Sequence, residues 1–385
     1  MTRNYRSDRI GNLQQSEIRA MTRECVRLGG LNLGQGICPL PSPPEILEAA
    51  SEAILADKST YSKFEGVDDL RTTIAKKMAS YNKLEVNADT DVIVTIGSTG
   101  SFVCTLQGLF NPGDEIIIFE PFYGYHVNAL RVSGCEANFV TLTPPDWSFT
   151  REAIEAAITP KTRGILVNTP GNPSGKVFSR AELETIASIC QEHDLIAITD
   201  EIYEYLVYDG HVHTSLATLP GMWERTVTMS GFSKTFAITG WRLGYTVAPA
   251  HLATPIGFIN DLFYICAPTP LQYGLAAGMA RLSPDYYTEM SDRYRQKRDY
   301  FCDALISAGL TPHIPQGAYY ILADVSHLGF SDDKKAAMHI LETTGVASVP
   351  GSSFFASDTG RSLTRFCVAQ EWEVVKEAAE RIATL

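Results

Sequence analysis

The chain has 385 residues, 45% of them hydrophobic and 20% charged, with 44 acidic against 32 basic side chains and a net charge of −12. That length exceeds one ordinary core and predicts two domains, and the acidic balance argues against nucleic acid or anionic membrane as partners. No apolar run approaches the ~18–20 residues of a membrane helix, the eight cysteines form no Cys-x-x-Cys pair, and the N-terminus lacks the apolar core of a signal peptide; a cytoplasmic protein with reduced, buried thiols is expected.

In chain order, a polar helix is expected over 15–28. The run 31–37 then carries Gly34-Gln35-Gly36 into Pro39-Leu40-Pro41-Ser42-Pro43-Pro44. Glycines followed by prolines make a rigid loop whose backbone can approach a ligand closely, although a plain turn would look the same. Pro44 suits the first turn of a helix over 45–57, and Tyr61 falls in an exposed loop before a helix over 68–81.

From about residue 91, β-branched runs alternate with amphipathic stretches. Strands are expected at 92–96, 115–119, 137–141, 164–168, 195–199, 226–229 and 243–248, with a helix at 180–193 presenting Leu183, Ile186, Ala187 and Cys190 on one face. This pattern predicts an α/β fold with a mostly parallel seven-stranded sheet covered by helices. Beyond residue 280, a helix over 285–309, strands at 317–324 and 363–369, and a closing helix over 371–384 predict a smaller α+β domain.

Ligands of such sheets gather at the carboxyl ends of the strands, and the polar residues of this chain collect there. Gly97-Ser98-Thr99 opens a helix after the first strand, which reads equally as an anion site or as an N-cap. Tyr123 follows the second strand, Asn172 the fourth, Asp200 and Tyr203 the fifth, and Lys234 the sixth. Residues 230–244 read Ser-Gly-Phe-Ser-Lys-Thr-Phe-Ala-Ile-Thr-Gly-Trp-Arg-Leu-Gly. An amine among small and apolar neighbours loses hydration of its charged form and becomes nucleophilic toward carbonyls, and Arg242 offers a planar fork for a phosphate. Together they make the minimum set for pyridoxal phosphate (PLP). Asp200 is placed to pair with the ring nitrogen, Asn172 and Tyr203 with the ring oxygen, and Tyr123 with the ring face. Ser98, Thr99, Ser233 and Arg242 are placed to share the phosphate.

Other motifs lead elsewhere and fail. The segment 171–176 is one residue short of a P-loop and continues with Val177, and no Gly-x-Gly-x-x-Gly follows the first strand. His211 and His213 lack a third ligand nearby in sequence, so no metal is expected.

Over nearly its full length the chain resembles the class I/II aminotransferases of PLP fold type I. The resemblance rests on 32–36, Tyr61, 97–100, 121–125, 168–175, 200–203, 231–244, 350–354 and 365–369, the lysine segment being the most specific. It implies an N-terminal arm (1–45) joining the small domain, a large PLP-binding domain (46–279) and a small C-terminal domain (280–385). It implies that Lys234 forms the internal aldimine and shuttles the α-proton, with Asp200 and Tyr203 assisting, as an amino group passes from an L-amino acid to a 2-oxo acid through pyridoxamine phosphate. Arg365 would take the substrate carboxylate, assisted by Gly36 and Asn172; Arg361 is a possible confusion. Tyr61 would reach the phosphate of the neighbouring subunit, so a homodimer is implied. Two departures stand out. Gly231 stands where many members have a phosphate-binding serine, for which Ser233 or Ser230 would compensate, and Thr99 stands where some aspartate-specific members carry lysine. Residues 31–36 are similar to those of members acting on aromatic, kynurenine-like or methionine-like substrates. Two alternatives stay open: a β/γ-lyase on the same fold, and a regulatory domain that senses PLP, for which this acidic chain is expected to have no room.

Overall fold

A computed structural model of the protein describes residues 5, 7–11 and 17–385. A first short strand, β1 (Leu31–Asn32), stands apart from the main sheet. The middle of the chain supplies β2 (Val92–Ile96), β3 (Glu115–Glu120), β4 (Glu136–Thr141), β5 (Thr162–Asn168), β6 (Ile196–Asp200), β7 (Thr226–Gly231) and β8 (Leu243–Val247). These seven strands lie in the order β2-β8-β7-β6-β5-β3-β4. Neighbours from β7 to β4 are parallel, whereas β8 runs antiparallel between β7 and β2. Side chains alternate across this sheet as the pleat requires. Ile117, Ile165, Val167 and Ala197 join Leu183, Ile186 and Cys190 of the helix Arg180–Glu192 on one face. Ile116, Ile118, Leu166 and Ile198 join Leu106, Leu130 and Ile256 on the other. Each fully buried side chain of this size contributes about 1.5–3 kcal/mol.

The C-terminal part adds β9 (Thr311–His313), β10 (Tyr320–Asp324), β11 (Val346–Ala347), β12 (Val349–Pro350) and β13 (Leu363–Cys367). Four of them form an antiparallel sheet in the order β12-β13-β10-β9, and β1 pairs in parallel with β11. That pairing ties the N-terminal segment to the C-terminal elements. Seven of the cysteines are buried, Cys266 is half-buried, and none is in a disulfide. Among the described residues no helix is long and apolar enough to cross a membrane.

Several expected elements shift. The helices span Pro44–Leu55, Tyr286–Ser307 and Trp372–Ile382. The first long helix is Glu17–Leu28, residues 15 and 16 lying outside the described ones. The fifth sheet strand extends to Asp200, which pairs in register with Asn168. The expected strand at 317–324 begins only at Tyr320, because Gly317 bridges Val207 and Ala318 adopts a left-handed φ of 58°. The helix expected over 68–81 is α-helical only for Asp68–Lys77 and continues as a π turn, Met78–Asn82, ended by Lys83 at φ 61°. The wider turn brings Tyr81 and Asn82 onto Glu204: the Tyr81 hydroxyl donates to its carbonyl at 2.6 Å and Asn82 Nδ2 to its carboxylate at 2.9 Å.

Candidate active site

The ends of β2, β5, β6 and β7 open onto a cavity of about 310 Å³. Because β8 is antiparallel, the residue entering it, Arg242, arrives at the same edge. Lys234, three residues beyond β7, faces the cavity and donates from Nζ to the Gly36 carbonyl at 3.2 Å. Burial pushes its amine below the ordinary lysine range; Cys38 and Cys367 oppose the shift and the positive Arg242 and Arg365 reinforce it.

Ser98 and Thr99 lie in the first turn of the helix Gly97–Leu109, at its positive end, and line the cavity with Ser233 and Arg242. A Cβ at Gly97 would stand 2.6 Å from Arg242 Nη2, and one at Gly244 would stand 2.4 Å from the Gly97 carbonyl carbon. The two glycines therefore let β8 and the helix start approach closely enough to form one donor-rich corner. Arg242 itself takes a left-handed φ of 57°, a conformation costing about 1–2 kcal/mol for a residue with a Cβ. Of the two compensating serines, Ser233 lines the cavity, whereas Ser230 donates to the Glu204 carboxylate at 3.0 Å.

Asp200 holds the middle of the cavity. Its Oδ2 pairs with His126 Nε2 at 2.9 Å and its Oδ1 accepts from the Ile202 amide at 3.3 Å. Tyr123 packs edge-on to His126 with ring centres 5.3 Å apart and stacks on Tyr125 at 5.2 Å. The Tyr203 hydroxyl meets that of Tyr320 at 3.2 Å, and burial raises the Tyr320 phenol to about 12. The Asn172 amide donates to Asn168 Oδ1 at 2.8 Å, and its Oδ1 accepts from Arg365 Nη1 at 2.9 Å.

Arg365, on β13, is 1% exposed. Its Nη2 donates to the Gly34 carbonyl at 2.6 Å, and its guanidinium lies 4.3 Å from the Tyr320 ring centre and 4.6 Å from that of Phe354. Its Nε has no partner. Arg361 is instead exposed and pairs with Asp358 at 2.8 Å.

The cavity thus brings together Gly36, Ser98, Thr99, Tyr123, Asn172, Asp200, Tyr203, Ser233, Lys234, Arg242 and Arg365. Tyr61 does not join them; it is 78% exposed. Sequence reading missed His126 and Tyr320. The only signal for His126 was its position three residues after Tyr123, within the first turn of the helix Gly124–Ser133. Lys176, in the P-loop lookalike, is buried and pairs with Glu182 at 2.6 Å. The reading that His213 has no further ligand types nearby needs correction. The fold places Glu201 and Glu204 beside it, Glu201 Oε2 lying 2.8 Å from His213 Nε2. The cation facing Glu204 is the Lys77 ammonium, at 2.5 Å.

A lysine, an arginine, the hydroxyls of a helix start and a buried aspartate thus meet at one edge of the sheet. Comparison with known proteins gives the class. The chain belongs to the class I and II aminotransferase family, whose profile it matches over residues 29–382. It is 36% identical to kynurenine–oxoglutarate transaminase 3 of Mus musculus, over 91% of this chain and 84% of that protein. It superposes on N-succinyldiaminopimelate aminotransferase from Mycobacterium tuberculosis with a TM-score of 0.95, at 31% identity, covering 98% of this chain and 99% of the other. A methionine aminotransferase from Escherichia coli gives the same TM-score at 30% identity, with both chains covered completely. The protein is an aminotransferase with the fold of type I enzymes.

Proposed function

We propose that the cavity holds PLP and that the protein transfers the amino group of an L-amino acid with a neutral, apolar or aromatic side chain to a 2-oxo acid. The residues present suit the group. The corner closed by Gly97 and Gly244 fits a phosphate, Asp200 fits a pyridine nitrogen, and Arg365, which lines the cavity with its buried Nε unpartnered, fits a carboxylate. When bound, PLP supplies a carbonyl that captures an amine and a ring that withdraws electrons.

In this reading the chain's own groups act as follows. Ser98, Thr99, Ser233 and Arg242 anchor the phosphate, with Tyr61 reaching it from a neighbouring subunit. The Asp200 carboxylate, held by His126, favours a protonated ring nitrogen. The Tyr203 hydroxyl and Asn172 Nδ2 restrain the ring oxygen, the Asn172 Oδ1 being engaged by Arg365. Tyr123 covers the ring face. Arg365 takes the substrate carboxylate bidentately. Lys234 Nζ, dry and less basic than an ordinary amine, would take the proton from the substrate α-carbon and deliver it to the cofactor carbon. The division into an arm (1–45), a large domain (46–279) and a small domain (280–385) belongs to the same proposal.

The preference for a neutral side chain rests on charge. Among the described residues lining the cavity the cations are Lys234, Arg242 and Arg365, each engaged above, and apart from Asp200 the rest of the lining is uncharged, with Ile18, Ile37 and Tyr125 beside the polar Gln35 and Thr239. A second substrate carboxylate would enter without a cation to meet it. The relatives span both kinds of substrate, kynurenine and methionine transaminases beside an N-succinyldiaminopimelate aminotransferase, so the preference rests on the cavity lining.

Incubation of the PLP-loaded protein with single amino acids and no 2-oxo acid tests the proposal. Transamination releases one equivalent of 2-oxo acid per chain and no ammonia. Continuous release of ammonia with the oxo acid would identify the lyase instead. No release from any amino acid, or full activity in Lys234→Ala, would refute the reading.

A further inference from the structure

Behind the cavity, the fold buries a carboxylate that the chemistry above does not use. Glu204 lies one residue past Tyr203, and its side chain is 3% exposed. Its Oε2 accepts from Lys77 Nζ at 2.5 Å and from Asn82 Nδ2 at 2.9 Å, and its Oε1 from the Ser230 hydroxyl at 3.0 Å and the Tyr245 hydroxyl at 3.3 Å. Burial alone would raise the Glu204 carboxyl; the Lys77 ammonium, aided by His213 and the Asn82 bond, outweighs it and holds the group below the usual range. Lys77 is enclosed in turn: it donates to the Tyr245 hydroxyl at 3.0 Å and stands 5.5–5.6 Å from the ring centres of Tyr81, Tyr205 and Tyr245.

Glu204 and two of its four partners lie on segments that also deliver residues to the cavity, while Lys77 and Asn82 come from the helix and π turn over 68–82, outside it. Glu204 follows Asp200 and Tyr203. Ser230 is on β7, four residues before Lys234, and its hydroxyl also reaches the Glu201 carbonyl at 3.3 Å. Tyr245 is on β8, three residues after Arg242. A buried carboxylate satisfied by four donors fixes its surroundings far more rigidly than apolar contacts of the same size. The expense of burying an ion pair, which well-packed apolar residues would often match in stability, points to a role beyond stability.

We propose that Glu204 is a positioning residue: its carboxylate holds the ends of β6, β7 and β8 in the mutual register that PLP needs. This rests on the PLP reading above. Removing Glu204 alone would strand the Lys77 ammonium in the interior, which is strongly destabilising, so the test uses charge-balanced pairs. Glu204→Gln/Lys77→Met keeps a side chain that accepts from Ser230 and Tyr245; Glu204→Ala/Lys77→Met loses it. PLP affinity, the wavelength of the bound cofactor's visible band and the melting temperature of the cofactor-free chain are measured for both. The glutamine pair should bind PLP within about threefold of the parent, and the alanine pair about tenfold or more weakly with a shifted band, the scale of two lost hydrogen bonds. A structural role alone would lower the melting temperature and leave affinity and band unchanged, which would overturn the proposal. If the alanine pair does not fold, Ser230→Ala and Tyr245→Phe each remove one bond, and parent-like PLP affinity in both would overturn it equally. Failure of the parent protein to bind PLP would remove both the PLP reading and this inference, so the two failures are distinguishable.

Discussion

At the scale of single residues, the site depends on charges placed where water is absent. Arg365 is the clearest case, buried between two rings with one nitrogen free. Arg365→Gln should raise KM for the amino acid by about 10- to 100-fold, the scale of charged hydrogen bonds lost to a carboxylate. Arg361→Gln should leave KM unchanged, since Arg361 is engaged at the surface. Lys234 makes a prediction through pH. Its amine is depressed in the folded chain, so between that depressed value and about 10.4 the unfolded chain holds more protons, and stability rises with pH across the window. The penalty is fully present below the folded value. Cofactor-free Lys234→Met should therefore be the more stable protein in urea at pH 7, with its advantage narrowing as pH approaches 10. An advantage that stays constant with pH would show that the amine is not depressed.

At the scale of elements, the corner between β8 and the helix Gly97–Leu109 depends on what is missing from it. Gly244→Ala would put a Cβ 2.4 Å from the Gly97 carbonyl carbon and 2.6 Å from the Ser98 amide nitrogen. Backbone cannot yield as a side-chain tip can, so the strand and helix must separate, at about 1–3 kcal/mol. Denaturant unfolding should show that loss, together with weaker PLP binding; parent-like values for both would mean that the corner has room for a methyl group. The same corner marks where sequence reading stopped. The strand runs were legible because β-branched residues recur at the right lengths between amphipathic helices. Asp200, Asn172 and Lys234 were legible because strand ends collect polar residues. The antiparallel course of β8 left no local trace, since a strand buried on both faces reads alike in either direction. The π turn at Met78–Asn82 was invisible for a similar reason: its sequence is good helix, and its widening answers to Glu204, 122 residues beyond Asn82. His126 and Glu204 were passed over because a buried polar residue is recognisable only by the partner that satisfies it, and their partners are distant in sequence.

At the scale of the whole molecule, a single chain leaves the site with an expected contributor outside it. Tyr61 is exposed, and so is an apolar patch at the end of the helix Ala250–Tyr264: Phe258 at 62%, Leu262 at 75%, Phe263 at 51% and Ile265 at 48%. Exposed apolar side chains gathered at one helix end suit an interaction face. The last residue of that helix packs on the helix that carries Ser98 and Thr99, since a Cβ at Gly100 would lie 3.8 Å from the ring of Tyr264. In the dimer proposed above, each copy would carry its Tyr61 toward the cavity of the other, as a two-fold interface requires of both copies at once. Subunit mixing separates this from a Tyr61 that serves its own chain. Tyr61→Phe should weaken PLP binding by about tenfold, one charged hydrogen bond, and Lys234→Ala should be inactive by at least about 10³-fold. At limiting PLP, an equal mixture of the two should form hybrids in about half of its dimers, each with one site that combines the Lys234 of one chain with the Tyr61 of the other. Activity should then rise toward about one quarter of the parent's. If Tyr61 acts within its own chain, no hybrid site contains both residues, and mixing restores nothing.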